Sequence, residues 1–135
     1  MSSKIQINIE LSSDSGTLVA VLPPVDFGSL RERFIREVFS HLESVACTSS
    51  ARYFLVDLSD VKRFGAAFLG RIVRLAKELR KLGKKLIISG DQWGLVTMFG
   101  LDQLCPCFMN RSEALRWSEN EPSELTSLPY VIGEN

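Results

Sequence analysis

The chain has 135 residues, of which 45% are hydrophobic and 24% are charged, and its formal net charge is zero. This length fits one domain that can bury a core without disulfides. Zero net charge argues against bulk electrostatic binding to nucleic acid, and no apolar run approaches the roughly 20 residues that a bilayer span requires. We therefore expect a cytoplasmic domain that has no secretory signal, binds no nucleic acid and does not insert into a membrane.

The chain opens with two strand patterns. Residues Lys4–Leu11 alternate between polar and apolar side chains, which predicts a strand with one solvated face. Ser12–Gly16 has the composition of a turn, and Thr17–Leu22 is a second, more apolar strand. We expect these strands to form a hairpin at one edge of a sheet. Pro23 and Pro24 end the hairpin, because proline cannot donate to a β-ladder.

After the hairpin, helical and strand patterns alternate. Apolar residues spaced three or four apart predict a helix from about residue 27–29 to Val45 and another from Ala66 to Leu82, ended by Gly83 in a left-handed conformation. The apolar stretches Tyr53–Leu58 and Lys85–Ser89 are typical of buried parallel strands. Three shorter elements complete the pattern: a helix within Gly90–Met98, a strand within Cys105–Met109 and a helix at Ser112–Trp117.

The predicted order is therefore β-β-α-β-α-β-α-β-α. Alternating strands and helices predict an α/β domain with a mixed, mostly parallel sheet, an N-terminal hairpin and helices packed against the sheet. We assign residues 1–118 to this domain and residues 119–135 to a C-terminal extension. The extension carries four glutamates and no basic residue, yet Leu128–Ile132 is apolar, so we predict that it docks on another surface.

The residues that could carry catalysis or bind a metal are few. The three cysteines, Cys47, Cys105 and Cys107, have no metal or redox spacing, and we expect reduced thiols. His41, the only histidine, falls inside the first helix and has no evident nucleophile beside it. We expect no metal, no cofactor and no enzymatic activity.

Two motifs invite a chemical interpretation. The glycine spacing from Gly65 to Gly70 is that of a phosphate loop, but Arg71 and Ile72 stand where such loops place lysine and a hydroxyl residue, so we interpret the glycines as a turn that packs a helix on a sheet. Asp57 and Asp60 flank the end of a predicted strand and could bind magnesium. The alternative is a structural role in which Asp60 caps a turn, and this is favoured because no third acid is evident.

Charge is distributed unevenly along the chain. Residues 62–85 contain nine lysines and arginines, opposed by Glu78 alone. The simpler interpretation is a solvated helix face. The alternative is a surface that meets an acidic partner or the acidic extension of the same chain.

One stretch is specific enough to suggest a family. Residues Val56–Gly70 resemble the signature of STAS domains, which comprise the anti-sigma-factor antagonists and their relatives in anion transporters. Val25-Asp26 is similar to the Leu-Asp that precedes the first helix in that family. Lys84–Gly90 and Gly100–Leu104 are similar to a later strand and to the Gly-Leu-Asp-x-Leu turn. The resemblance spans residues 4–118 and implies a STAS-like fold.

The sequence departs from the family pattern in the loop that matters most for regulation. In the antagonists, a kinase that is also the anti-sigma factor phosphorylates the first serine of this loop, and the phosphate, with about −1.5 to −2 charges, prevents docking. Here Gly65 replaces the loop aspartate, Ala66 the phosphoacceptor serine, Ala67 the next serine and Phe68 the glycine. Alanine has no hydroxyl, so Ala66 cannot be phosphorylated.

Two side chains of this region have open alternatives. Phe68 either anchors a partner as an exposed aromatic or turns inward and fills the core. Ser59 either serves as a substitute phosphosite or caps a turn, and the turn is the simpler interpretation.

The resemblance implies a regulatory module of bacterial type, acting in signal transduction and transcription regulation, that binds a kinase-type anti-sigma factor or a signalling scaffold. The alternative is an accessory STAS subunit of an anion or lipid transporter. A homodimer is possible. The implied partner-binding residues are Asp26, Ser59, Phe64, Gly65, Ala66, Ala67, Phe68, Gly70 and Arg71.

Overall fold

The computed structural model describes residues 10–14, 16–90, 94 and 100–120. Within these residues the strands are β1 (Glu10–Asp14), β2 (Thr17–Val21), β3 (Tyr53–Asp57), β4 (Lys85–Ser89) and β5 (Cys107–Phe108). The helices are α1 (Glu32–Thr48), α2 (Ala66–Lys81) and α3 (Arg111–Asn120), and a 3-10 turn spans Leu101–Gln103.

The five strands form one sheet in the order β1-β2-β3-β4-β5. β1 runs antiparallel to β2, with Leu11 opposite Ala20, whereas β2, β3, β4 and β5 are parallel. The α/β class, the N-terminal hairpin and the mostly parallel sheet are therefore confirmed.

The sheet separates two apolar layers, because successive side chains of a strand point to opposite faces. α1 and α2 both cover one face, where Phe39, Leu42 and Ile72 pack on residues such as Ala20 and Val56. The strand order explains why both helices lie on the same face. The connections β2–α1–β3 and β3–α2–β4 advance across the sheet in the same direction, and crossovers of the same hand then place their helices on the same side.

α3 covers the opposite face of the sheet. Ala114 packs there against Val19, Leu55 and Ile87, with Trp117 partly buried beside them. At the carboxyl ends of their strands, Asp57 and Ser89 also belong to this face, because they continue the alternation of Leu55 and Ile87.

Several element boundaries differ from the prediction. The turn expected at Ser12–Gly16 is wrong in its first part, because Ser12 to Asp14 pair with Val19 to Thr17 and so belong to β1. An edge strand tolerates such serines because one of its faces meets water, and Ser12 is exposed. Gly16, with φ of 78°, then reverses the chain.

The helices also differ at their ends. α1 begins at Glu32 and not at residue 27–29, because the preceding residues are held in a turn on Asp26. α3 extends from Arg111 to Asn120, two residues beyond the predicted domain boundary. The left-handed conformation expected of Gly83 is confirmed by its φ of 74°. Most of the predicted strand at Lys4–Leu11, nearly all of the helix within Gly90–Met98, and residues 121–135 of the extension lie outside the described residues.

Candidate functional site

Two loops lie side by side at the carboxyl ends of β2 and β3. The backbone amide of Lys62 donates to the carbonyl of Val25 at 3.1 Å, and the amide of Phe27 donates to the carbonyl of Arg63 at 2.7 Å. These bonds form a short parallel bridge between Asp26 and Arg63. We call residues 22–30, residues 58–65 and the first turn of α2 (residues 66–69) the loop platform.

Asp26 is the polar centre of the loop platform. Its Oδ2 accepts a hydrogen bond from Arg63 Nη2 at 3.0 Å, and its Oδ1 accepts one from the amide of Gly28 at 2.9 Å. The hydrogen bond from Arg63 lowers the pKa of the Asp26 carboxyl below its ordinary value of 3.8, and the Gly28 amide lowers it further, while desolvation acts in the opposite direction. The carboxylate therefore ties the two loops together in its ionised form.

This arrangement predicts a pH-dependent link between the loops. Because the pKa of Asp26 is lowered, the link is complete above pH 3.8 and is lost as pH falls through the lower value of the folded state. An NMR titration of the Asp26 carboxyl should give a midpoint below 3.8. Arg63→Ala should move that midpoint upwards, whereas Arg36→Ala, which removes an exposed arginine of α1, should leave it unchanged. An unmoved midpoint in Arg63→Ala would contradict this account.

An aromatic cluster lies beneath the loop platform. Phe68 is fully buried, and its ring centroid lies 5.0 Å from that of Phe27, 5.1 Å from that of Phe39 and 4.8 Å from that of Phe64. Phe64 is half-buried and stacks on Phe68 with 25° between the ring planes. Of the two alternatives for Phe68, the structure shows the inward one. Its ring supports the loop platform and is not exposed to a partner.

The surface at the start of α2, on and beside the loop platform, carries little side-chain bulk. Ala66, Ala67 and Gly70 are exposed, and a Cβ added at Gly70 would meet nothing within 4 Å. Gly65 is the N-cap residue of α2, and no side chain caps this helix. Ala66 is thus the exposed first residue of α2.

A second polar cluster lies on the α3 side of the same strand ends. Asp57, with 1% of its side chain exposed, accepts hydrogen bonds at Oδ1 from Ser59 Oγ at 2.6 Å and Ser89 Oγ at 3.0 Å. Its Oδ2 accepts one from Arg111 Nε at 3.1 Å. The hydroxyl of Ser59 is therefore directed towards Asp57, which supports the structural interpretation of this serine. The role of Arg111 was not anticipated from the sequence, because its partner lies 54 residues earlier.

The carboxylate of Asp57 is occupied by these donors, and Asp60 lies exposed in the turn that follows β3. Within the described residues, no group of three or more His, Cys, Asp or Glu side chains could hold a metal ion. His41 and Cys47 are exposed on α1. None of the described helices is long and apolar enough to cross a membrane.

The structure thus brings together most of the residues singled out in the sequence. Those that are exposed on the loop platform or beside it are Ala66, Ala67 and Gly70, and those that are half-buried there are Asp26, Phe64, Gly65 and Arg71. Ser59 lies at the same edge of the sheet with its hydroxyl on Asp57, and Phe68 lies underneath.

Comparison with known proteins identifies the fold. No protein-family model and no curated protein matches the chain. Among solved structures, an anti-sigma-factor antagonist (STAS) domain protein from Planctomyces limnophilus superposes with a TM-score of 0.67 at 21% identity, over 81% of this chain and 96% of that one. The Bacillus cell fate determinant SpoIIAA in its phosphorylated form gives a TM-score of 0.61 at 13% identity, over 82% of this chain and 99% of that one.

A sulfate transporter family protein from Wolinella succinogenes is also similar, with a TM-score of 0.58 at 18% identity, over 77% of this chain and 85% of that one. The similar structures therefore include both an anti-sigma-factor antagonist domain protein and a sulfate transporter family protein. The resemblance found in the sequence is confirmed at the level of the fold: this chain is an α/β domain with the STAS fold.

Proposed function

We propose that this chain is a protein-binding regulatory module similar to anti-sigma-factor antagonists. It binds a kinase-type anti-sigma factor or a signalling scaffold through the loop platform, and it is not switched by phosphorylation at residue 66. The observation that carries the proposal is the exposed Ala66 at the first position of α2, on a platform whose two loops are joined by Asp26 and Arg63.

The outer surface favours docking over chemistry. Small side chains at Ala66, Ala67 and Gly70 allow the backbone of a partner to approach closely. The acid nearest the strand ends, Asp57, is engaged by Ser59, Ser89 and Arg111. A satisfied buried carboxylate is typical of a structural role. The proposed module therefore acts by binding alone.

Two contacts join the parts of the loop platform before it binds. Phe64 stacks on the buried Phe68, and the Asp26–Arg63 pair joins the two loops from outside. Preorganised loops lose less conformational entropy on binding, which favours affinity. Without a hydroxyl at residue 66, phosphorylation at this position cannot end the binding-competent state.

The test is a binding measurement by calorimetry with the kinase-type anti-sigma factor encoded in the same genome. Wild type should bind, and Ala66→Glu should lower the affinity at least about tenfold, because it places a charge at the centre of the docking surface. Ser40→Glu adds the same charge to an exposed position of α1 and should leave the affinity unchanged.

A gain-of-function variant sharpens the test. Ala66→Ser restores the hydroxyl, so incubation with the kinase and ATP should phosphorylate residue 66 and release the complex, as detected by mass spectrometry and calorimetry. Failure of wild type to bind, or wild-type affinity in Ala66→Glu, would overturn the proposal.

A second function, as an accessory STAS subunit of an anion or lipid transporter, is favoured by the likeness to the sulfate transporter family protein. Co-purification of the tagged chain with a transporter, and with no kinase, would support it. The same Ala66→Glu variant then reports whether the loop platform carries that contact.

A further inference from the structure

α2 presents a basic surface to solvent beside the loop platform. We call its exposed residues the α2 face: Ala66, Ala67, Gly70, Arg74, Lys77, Arg80 and Lys81. The first two turns of this face carry only alanine and glycine, and the last two turns carry only basic side chains. At about 1.5 Å per residue, the basic half is roughly 12 Å long.

Few acidic groups neutralise this face. Glu43 of α1 pairs with Arg74 at 3.1 Å, and Glu78 pairs with Lys81 at 3.2 Å, but the side chains of Arg74 and Lys81 remain 58% and 71% exposed. Among the described residues, neither Lys77 nor Arg80 forms a salt bridge. The face therefore has an excess of positive charge that the folded domain does not compensate locally.

The excess is greater on α2 than on the neighbouring helix. The neighbouring α1 also exposes a charged surface, but there Glu32 and Glu37 alternate with Arg33 and Arg36. The whole chain is electrically neutral. The basic face is thus a local concentration of charge and not a consequence of an overall basic composition.

We propose that the α2 face docks on an acidic protein surface of the regulatory partner. This inference rests on the proposed function and deepens it, because it specifies the chemistry of the partner: a cluster of aspartate or glutamate side chains opposite Arg74, Lys77 and Lys81. The basic half is continuous with Ala66 and Gly70, so one partner can cover the loop platform and the basic residues together. Complementary charge at such a site steers association and selects the partner.

Other occupants are less compatible with the observations. Binding to nucleic acid generally needs many phosphate contacts, and this face offers four cations, two of them already paired with carboxylates. A membrane surface is usually entered with the help of several exposed apolar residues, whereas the α2 face itself has none larger than alanine and only Leu82, at the C-cap of the helix, is large, apolar and exposed beside it among the described residues. The small side chains of the first two turns and the four cations of the last two turns are instead suited to contact with another folded protein.

The experiment uses the full chain and a poly-glutamate peptide as the acidic probe, followed by backbone amide NMR shifts. At low salt, the shifts should concentrate on residues 66–81 and weaken strongly at physiological salt, where the Debye length is about 8 Å. Lys77→Glu/Lys81→Glu should weaken peptide binding about tenfold, because two attractive charges become repulsive. Arg33→Glu/Arg36→Glu makes the same change of net charge on α1 and should have little effect. Equal loss in both pairs, or shifts centred elsewhere, would overturn the inference.

Further arms separate the other occupants. Glu121→Gln/Glu124→Gln/Glu134→Gln neutralises three acids of the extension, and a tenfold rise in peptide affinity would assign the face to the chain's own tail and overturn the inference. Binding of phosphatidylserine vesicles or duplex DNA to the α2 face, if tighter than binding of the peptide, would also overturn the inference. The peptide requires no anti-sigma factor, so its binding to the α2 face is measured independently of whether that partner binds the loop platform. Conversely, a partner that binds Lys77→Glu/Lys81→Glu as well as wild type would uphold the proposed function and overturn the inference.

Discussion

Replacing Phe68 with alanine is expected to lower the free energy of unfolding by about 3–5 kcal/mol. The ring is fully buried and lies about 5 Å, centroid to centroid, from three other phenylalanine rings, at 5.0 Å from Phe27, 5.1 Å from Phe39 and 4.8 Å from Phe64. Alanine removes the apolar surface of the ring and leaves a cavity between α1, α2 and the loop platform. Urea denaturation followed by circular dichroism measures the change.

A conservative variant controls for the volume lost. Phe68→Leu keeps most of the apolar volume and should cost much less, about 1.5 kcal/mol. The comparison also separates the two roles considered for this residue. If Phe68 were an exposed anchor, its replacement would weaken partner binding and leave the free energy of unfolding nearly unchanged. A loss of stability below about 1 kcal/mol in Phe68→Ala would therefore contradict the buried placement.

Gly90→Ala is expected to destabilise the fold by about 3 kcal/mol. Gly90 follows β4 with φ of 75°, a conformation that costs an L-residue about 1–2 kcal/mol. An added Cβ would also lie only 2.5 Å from the amide nitrogen and 2.8 Å from the Cα of Ser59. The backbone after β3 would have to shift, and with it the hydrogen bonds that Ser59 donates to Asp57.

A matched glycine isolates the steric part of this effect. Gly83 has nearly the same φ, 74°, but a Cβ there would meet nothing within 4 Å. Gly83→Ala should therefore show the backbone cost alone, about 1–2 kcal/mol. Thermal and urea unfolding of both variants check the prediction, and equal losses would show that the contact with Ser59 does not matter.

The fold could be predicted from local patterns because they agree with one another. Alternation in the hairpin, the apolar runs of β3 and β4 and the helical spacing of α1 and α2 each report which side chains are buried. The limits of these elements were less predictable. Ser12 to Asp14 have turn composition, yet they extend β1 because Val19 to Thr17 supply a paired strand. Pairing of this kind is a property of two segments and is not visible in either one.

Some features of the candidate site could likewise be predicted from the sequence, and others depend on the tertiary structure. That Ala66 lacks a hydroxyl follows from the sequence alone, whereas its accessibility at the start of α2 follows from the way the two loops meet. Asp26 was singled out by its resemblance to a family position, but its partner Arg63 lies 37 residues later and is brought to it by the parallel bridge.

Residue order and spacing determined that this chain is an α/β domain, and residue identity determined that position 66 carries no hydroxyl. The tertiary structure decided that Phe68 fills the core, that Ser59 is held on Asp57 and that Arg111 completes that cluster. The reason is physical. Backbone and side-chain preferences act over a few residues, whereas burial and ion pairing depend on which distant segments the sheet brings into contact.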